Sequence, residues 1–352
     1  MRYQTFGRHT GLRVSEYVLG TANFGSAPAA AGPEGARAIF EQFVAAGGTT
    51  IDTSNLYQDG EAETILGKLM GRERDDYVVI TKYTGSRSAQ IGPGTTGNSR
   101  KTMFRSLEES LRRLGTDYVD VFMPHFPDGV TPLPEILAGL EDLVRAGKIR
   151  YGGLSNFPAW RIADAAVRSE LSGRMSLVGI QTEYSLAERS AERELLPMAE
   201  AHGLGVALYS PLAGGLLTGK YRHGERGRLS ARPAAHVIAG EDGAQRTAVL
   251  DAVLAVADET GTGPIQVALA WLRRRAACAG TSMIPVLGPR TPAHLAGYLD
   301  ALNVELSPHH YQLLDEVSAI RFGAPYEDVA AALAHGTDGD RGLLDEPLVP
   351  VI

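Results

Sequence analysis

Four side chains whose types could together move a proton recur in the first half of the chain: Asp52, Tyr57, Lys82 and His125. Asp52 follows Thr49-Thr50-Ile51, a β-branched run that reads as a strand entered through Gly47-Gly48. Tyr57 stands five residues further on, in a polar loop. Lys82 ends the strand-like run Val78-Val79-Ile80-Thr81, and His125 ends Val119-Asp120-Val121-Phe122-Met123-Pro124. A free phenol, with a pKa of about 10, is a poor acid at neutral pH. An ammonium beside it favours the phenolate and lowers that value. A carboxylate keeps the ammonium charged and aimed, and an imidazole orients a carbonyl or shares the proton. Such a set suits proton donation to a carbonyl oxygen as it gains negative charge. It holds no hydride source, so reduction of that carbonyl requires a nicotinamide cofactor. Singly, each residue has a plainer reading: a loop cap, an ion pair, a packed aromatic, a core histidine. The signal is that all of them fall at successive strand ends.

For those ends to meet, the strands must be neighbours. Strand-like runs start near Tyr17, Thr49, Tyr77, Tyr118, Arg150, Val178, Gly205 and Met283, with helical patterns between them. Ser99 reads as the N-cap of one helix, in which Met103, Leu107, Leu111 and Leu114 repeat before Gly115 ends it. Eight strands alternating with helices predict an α/β fold of the (β/α)8 TIM-barrel class, whose chemistry sits at the C-terminal strand ends. An open doubly wound sheet would usually carry a Gly-x-Gly-x-x-Gly turn after its first strand. Here that strand runs into Leu19-Gly20-Thr21-Ala22-Asn23-Phe24-Gly25 instead. Residues 1 to 15 read as an N-terminal hairpin. Residues 1–318 are expected to form a single catalytic barrel domain and 319–352 a C-terminal tail, helix-like from Ala324 to Ala334. Long loops are expected after the third and seventh barrel strands, over 85–98 and 213–240.

The chain has 352 residues, 44% apolar and 21% charged, with a net charge of −7. These are ordinary values for a globular protein, and no basic run suggests nucleic acid. The lone Cys278 excludes an internal disulfide. The N-terminus lacks the apolar core of a signal peptide, and no apolar run of about 18 residues suggests a membrane span. A cytoplasmic location is therefore expected. No His-x-His or His-Glu-x-x-His spacing points to a metal. A barrel glycosidase needs two acids at strand ends, whereas the fourth and seventh strands end on His125 and Tyr209-Ser210.

Asp52-Thr53-Ser54-x-x-Tyr57, Thr81-Lys82 and His125-x-Pro127-Asp128 resemble the catalytic tetrad motifs of the aldo-keto reductase superfamily. Gly152-Gly153-Leu154-Ser155-Asn156-Phe157, Gln181-x-x-Tyr184-Ser185-Leu186 and the stretch from Tyr209 to Lys220 resemble three further elements of it. The likeness runs in order from about Tyr3 to Leu302, and Arg100-Lys101 and Leu216 to Tyr221 resemble the longer bacterial branch. The resemblance implies that Tyr57 is the general acid, that Asp52 and Lys82 tune it, and that His125 orients the carbonyl. It implies that Ser155, Asn156 and Gln181 hold the nicotinamide carboxamide and that Tyr209 stacks on the ring. Ser210, Leu212, Gly215 and Lys220 would follow the pyrophosphate.

Ile284 to Pro292, with Gly288 at its turn, resembles the adenosine-phosphate segment. Arg290 and Thr291 suit a ribose 2′-phosphate, since a guanidinium pairs with phosphate in a fork. That implies NADPH rather than NADH. The family commonly continues with Gln or Arg, then Glu and Asn; this chain has His294, Gly297 and Tyr298, and Tyr298 could stack on the adenine instead. Asn23, Phe24 and Tyr83, at or beside strand ends, are candidates to line the pocket for a small-molecule carbonyl, with core packing the other reading for Phe24. The alternative function is a nicotinamide-nucleotide-binding sensor or regulatory subunit with little turnover. Substrate and oligomeric state are left open.

Overall fold

The computed structural model describes residues 1–86, 91–92, 94–173, 177–225 and 241–336. Strands β1 (Tyr3–Thr5) and β2 (Arg13–Ser15) pair antiparallel as the expected hairpin. The next eight are β3 (Val18–Gly20), β4 (Thr50–Asp52), β5 (Val78–Tyr83), β6 (Val119–Pro124), β7 (Ile149–Ser155), β8 (Leu177–Glu183), β9 (Gly205–Tyr209) and β10 (Met283–Leu287). They run parallel and close into a barrel, with β10 bonded to both β9 and β3. Each lies where the apolar rhythm predicts a strand. Around them lie α1 (Gly32–Ala45), α2 (Glu61–Met70), α3 (Arg100–Leu114), α4 (Leu133–Arg145), α5 (Ala159–Ser172), α6 (Leu195–Ala201), α7 (Ala244–Thr260), α8 (Pro264–Ala277), α9 (Pro292–Asp300), α10 (Pro308–Ser318) and α11 (Tyr326–Gly336).

Local chemistry sets these limits. The Ser99 hydroxyl accepts the Thr102 N–H and starts α3; Gly115, left-handed at φ 65°, ends it. α1 starts at Gly32, with Pro33 in the first helical turn, where its missing N–H costs nothing. The long loops begin as expected, but parts of both, and the tail from 337 onward, lie outside the described residues. Beyond α10 the chain is fastened to the barrel: Arg193 donates to the Arg321 and Phe322 carbonyls, and the Tyr326 hydroxyl to Glu194. Among the described residues no helix is long and apolar enough to cross a membrane, and no group of three potential metal ligands occurs.

Side chains on a strand alternate between two faces, and two cores result. Val18, Ile80, Val121, Met123, Ala207, Ile284 and Val286 form one, inside the barrel. Leu19, Ile51, Val79, Phe122, Leu154, Leu208 and Leu287 join the other, between barrel and helices. Phe6, carried in by the hairpin and 1% exposed, plugs the N-terminal end of the inner core. Its ring fits because β8 and β9 carry glycine there: a Cβ on Gly179 would stand 2.6 Å, and one on Gly205 2.5 Å, from ring carbons of Phe6. The floor is thus sealed and the opposite end is free to hold a site. Replacing Phe6 with Ala should remove about 3–5 kcal/mol of stability, as for other buried aromatics. Denaturant unfolding checks this; a loss under about 1 kcal/mol would show that the hairpin is no part of the core.

Candidate active site

Alternation decides which side chains reach the barrel mouth. On β5, Lys82 shares the inner face with Ile80, while Thr81 and Tyr83 share the outer face with Val79. The Thr81 hydroxyl accordingly donates to Glu63 of α2, at 2.6 Å. Asp52 ends β4 opposite Ile80. The Lys82 ammonium therefore meets both Asp52 oxygens, at 2.7 and 2.9 Å, and the Thr53 carbonyl at 2.6 Å. Lys82 is 0% and Asp52 1% exposed. Gln181 of β8 donates its amide to the same carboxylate at 2.7 Å. Burial pulls the ammonium down, but the Asp52 carboxylate and the Tyr57 phenol, in hydrogen-bond contact, outweigh it and hold Lys82 above its ordinary value.

Tyr57 is half-buried, its ring centroid 5.1 Å from the Lys82 nitrogen. The turn it opens contains Gln58 and Asp59 at φ 50° and 53°. Left-handed backbone at such residues costs about 1–3 kcal/mol each and persists only where the surroundings demand it. Here Gln58 is tied to the Ala22 carbonyl at 2.8 Å.

His125 stands edge-on to Tyr57, ring centroids 5.9 Å apart. Its backbone N–H donates to the Tyr83 carbonyl at 2.8 Å, and its Nδ1 lies 3.2 Å from the Ser54 hydroxyl. Burial, and then the charge of Lys82, push the imidazole down to about 3, so it is neutral at any ordinary pH. Beside it Phe126, 41% exposed, forms an apolar wall with its ring 5.8 Å from that of His125. Asn98 donates to the Phe126 carbonyl at 2.9 Å and so fixes this wall. Asp128 gathers the same loop: it accepts from the Asn98, Val130 and Thr131 amides and the Thr131 hydroxyl. Those bonds outweigh burial and hold its carboxyl at about 2.

On the other side of the mouth, Ser155 pairs in register with Gln181. Asn156, at φ 58°, donates to the His125 carbonyl at 2.9 Å and accepts the Tyr209 hydroxyl at 3.0 Å. Burial, then Glu183, then Tyr57 push the Tyr209 phenol up. The chain then turns through Ser210 (φ 55°), Ala213 (48°), Gly214 (65°) and Gly215 (95°). The buried Leu212 accepts the Gly215 N–H at 2.9 Å. A Cβ on Gly215 would stand 3.0 Å from the Lys220 ammonium, so glycine leaves a cradle there. Burial and then Arg290 pull Lys220 down; burial, Lys220 and Arg290 do the same to His294. Three basic groups thus share one field. The Thr291 hydroxyl accepts the His294 N–H at 3.2 Å, placing them at the N-terminus of α9. Bases, a helix N-terminus and a glycine cradle fit the phosphates of a dinucleotide. Tyr298 lies half-buried on the same helix, packed against the outer core.

The candidate pocket residues fare differently. Phe24 and Tyr83 are both 0% exposed in the outer core, Tyr83 stacked on Phe122 at 4.9 Å. Neither presents surface to a ligand: being next to a strand end does not say which face a side chain takes, and Tyr83 has the parity opposite to Lys82. Asn23 directs its amide to the Gly288 and Pro289 carbonyls, at 3.0 and 3.3 Å, and so ties the first barrel loop to the last. Sequence reasoning missed Ser54 and Phe126. A hydroxyl in the loop that carries Tyr57, and an aromatic next to His125, were the available signals.

The Aldo/keto reductase family model matches residues 16–319. An NADP(+) aryl-alcohol dehydrogenase of Phanerodontia chrysosporium is 33% identical over 344 residues, spanning 92% of this chain and 88% of its own length. An uncharacterized oxidoreductase of Bacillus subtilis is 35% identical over 326 residues, spanning 90% and 96%. Norsolorinic acid reductase B of Aspergillus parasiticus is 30% identical over 343 residues, spanning 94% and 88%.

The depressed imidazole has a signed consequence. Between about 3 and the ordinary 6.5, the unfolded chain binds a proton at His125 that the folded chain refuses. Stability is therefore lost as pH falls below about 6.5. His125→Asn should flatten that acid limb, and NMR should show the wild-type His125 ring untitrated across about pH 5–8. Titration near 6.5 would contradict the burial described here.

Proposed function

The chain belongs to the aldo/keto reductase family and is an NAD(P)H-dependent oxidoreductase; within that class we propose that it reduces an aldehyde or ketone to the alcohol with NADPH, Tyr57 being the proton donor. The observation that carries this reading is the Tyr57 phenol in contact with a buried ammonium whose charge Asp52 secures. When bound, the reduced nicotinamide supplies a hydride to the carbonyl carbon. The carbonyl oxygen, gaining negative charge, takes the phenol proton, and Lys82 stabilises the phenolate that remains. Asp52 keeps Lys82 charged and in place. His125, neutral, cannot be the acid at ordinary pH, so its part is to hold the carbonyl oxygen by a hydrogen bond.

Ser155, Asn156 and Gln181 are the residues for the carboxamide, and Tyr209 for the ring face. Because the Gln181 amide nitrogen already faces Asp52, its carbonyl oxygen is the atom left to accept a carboxamide N–H. Ser210, Leu212, Gly215 and Lys220 would hold the pyrophosphate, and Gly288, Arg290, Thr291 and His294 the 2′-phosphate, with Tyr298 toward the adenine. The shared field of Lys220, Arg290 and His294 supports NADPH over NADH, as does the NADP(+) named for the Phanerodontia relative. The exposed Phe126 ring beside His125 favours a flat, aromatic carbonyl. The aryl alcohols named for that same relative agree with this.

Tyr57→Phe should bind NADPH normally yet lose roughly 10²- to 10⁴-fold in turnover, the range for a removed general acid. Turnover unchanged would remove Tyr57 from its role, and NADPH binding without oxidation by any of a panel of aldehydes would favour the sensor reading. Arg290→Ala should weaken NADPH by roughly 10- to 100-fold, the size of a charged hydrogen bond, and leave NADH nearly untouched. Titration of both nucleotides checks this, and equal weakening of the two would contradict it.

A further inference from the structure

We infer that Ser54 is a positioning residue: its hydroxyl holds the His125 ring with the proton on Nε2, so that the imidazole offers the carbonyl a donor and not a lone pair. The inference deepens the reductase reading and rests on it for the role, though not for the tautomer.

The geometry leaves the Ser54 hydroxyl little choice. The side chain is 0% exposed, so water does not compete for it. Its oxygen accepts the Leu56 N–H at 3.3 Å, which leaves the single hydroxyl proton to be given away. Two acceptors are in reach: the His125 Nδ1 at 3.2 Å and the Asn55 Oδ1 at 3.4 Å. Were Nδ1 to carry the ring proton and donate, the buried Ser54 hydroxyl proton would be left only the Asn55 contact, which is longer than an ordinary O–H···O bond. A neutral imidazole carries one proton; with Nδ1 accepting from Ser54, that proton is on Nε2.

The rest of His125 is held as firmly. Its N–H donates to the Tyr83 carbonyl and its own carbonyl accepts from Asn156, at 2.8 and 2.9 Å. Its ring is flanked by Tyr57 and Phe126. In the other tautomer Nε2 would carry a lone pair, which repels a carbonyl oxygen instead of holding it. Ser54 thus acts on the substrate only through His125. It lies between Asp52, the last residue of β4, and Tyr57, so one segment supplies the acid, the group that tunes it and the group that orients the carbonyl's other partner.

The direct test is the ¹⁵N shifts of the His125 ring nitrogens in the full-length protein, assigned by loss of the signal in His125→Asn. Wild type should show a protonated Nε2 and a bare Nδ1; Ser54→Ala should show a mixture or the reverse, and Ser54→Thr, which keeps the hydroxyl, should restore the wild-type pattern. In parallel, Ser54→Ala should lower kcat for an aromatic aldehyde by roughly tenfold or more, with NADPH affinity and melting temperature near wild type, and Ser54→Thr should recover most of the loss. A wild-type ring protonated on Nδ1, or a Ser54→Ala variant with tautomer and kcat both unchanged, would overturn the inference. If the tautomer responds to Ser54 as stated while wild type reduces no carbonyl, the reductase reading falls and Ser54's hold on the ring stands.

Discussion

A lysine ammonium shut away from water at the mouth of the barrel is the constraint on which the rest depends. An isolated charge of that kind costs several kcal/mol even after the surroundings relax. It survives here because Lys82 finds both Asp52 oxygens, the Thr53 carbonyl and the Tyr57 phenol within bonding reach. All of these partners come from one segment, the end of β4 and the turn after it, whereas the ammonium comes from the next strand. Parallel strands about 4.8 Å apart put the ends of β4 and β5 side by side, and β8 reaches across the mouth to add Gln181. The closed barrel is therefore what makes the charge tolerable, and in the proposed mechanism the charge is what makes the phenol a donor.

The mouth is also where the backbone is least relaxed. Among the described residues the non-glycine positions with positive φ are Gln58, Asp59, Thr84, Asn156, Ser210 and Ala213, all in loops that leave the C-terminal ends of strands. Strain of this sort is kept where packing over-determines it, and it clusters at functional sites. The opposite end is ordinary by comparison: the Phe6 ring against two glycines, surrounded by aliphatic side chains. Stability and chemistry thus occupy opposite ends of one barrel, as the class favours.

Much of this is legible in the sequence. The strand rhythm marked all eight barrel strands because parallel barrel strands are buried on both faces and read as apolar runs. Asp52, Lys82 and His125 were visible because a charged or polar residue ending such a run has nowhere to go but the mouth. For Phe24 the core reading is the one that holds, while Tyr83 reads as a pocket residue because an aromatic at a strand end packs equally well on either face, and only the alternation with Lys82 decides. Ser54 and Phe126 stayed hidden for another reason. A serine in a polar loop is unremarkable until the fold brings an imidazole to it. The resemblance gave Gly215, Lys220 and Arg290 to one cofactor, but the shared field of Lys220, Arg290 and His294 joins segments far apart in the chain and needs the closed ring.

The most direct measurement is turnover in the double variant Asp52→Asn, Lys82→Met, which removes both buried charges while keeping an oxygen for the Gln181 amide and a side chain of similar length. NADPH affinity is measured alongside. Intact cofactor binding with reduction of an aromatic aldehyde slowed roughly 10²- to 10⁴-fold is the result expected if the ammonium makes the phenol an effective donor. A well-folded variant that binds NADPH and reduces the same aldehyde within a few-fold of wild type would contradict it.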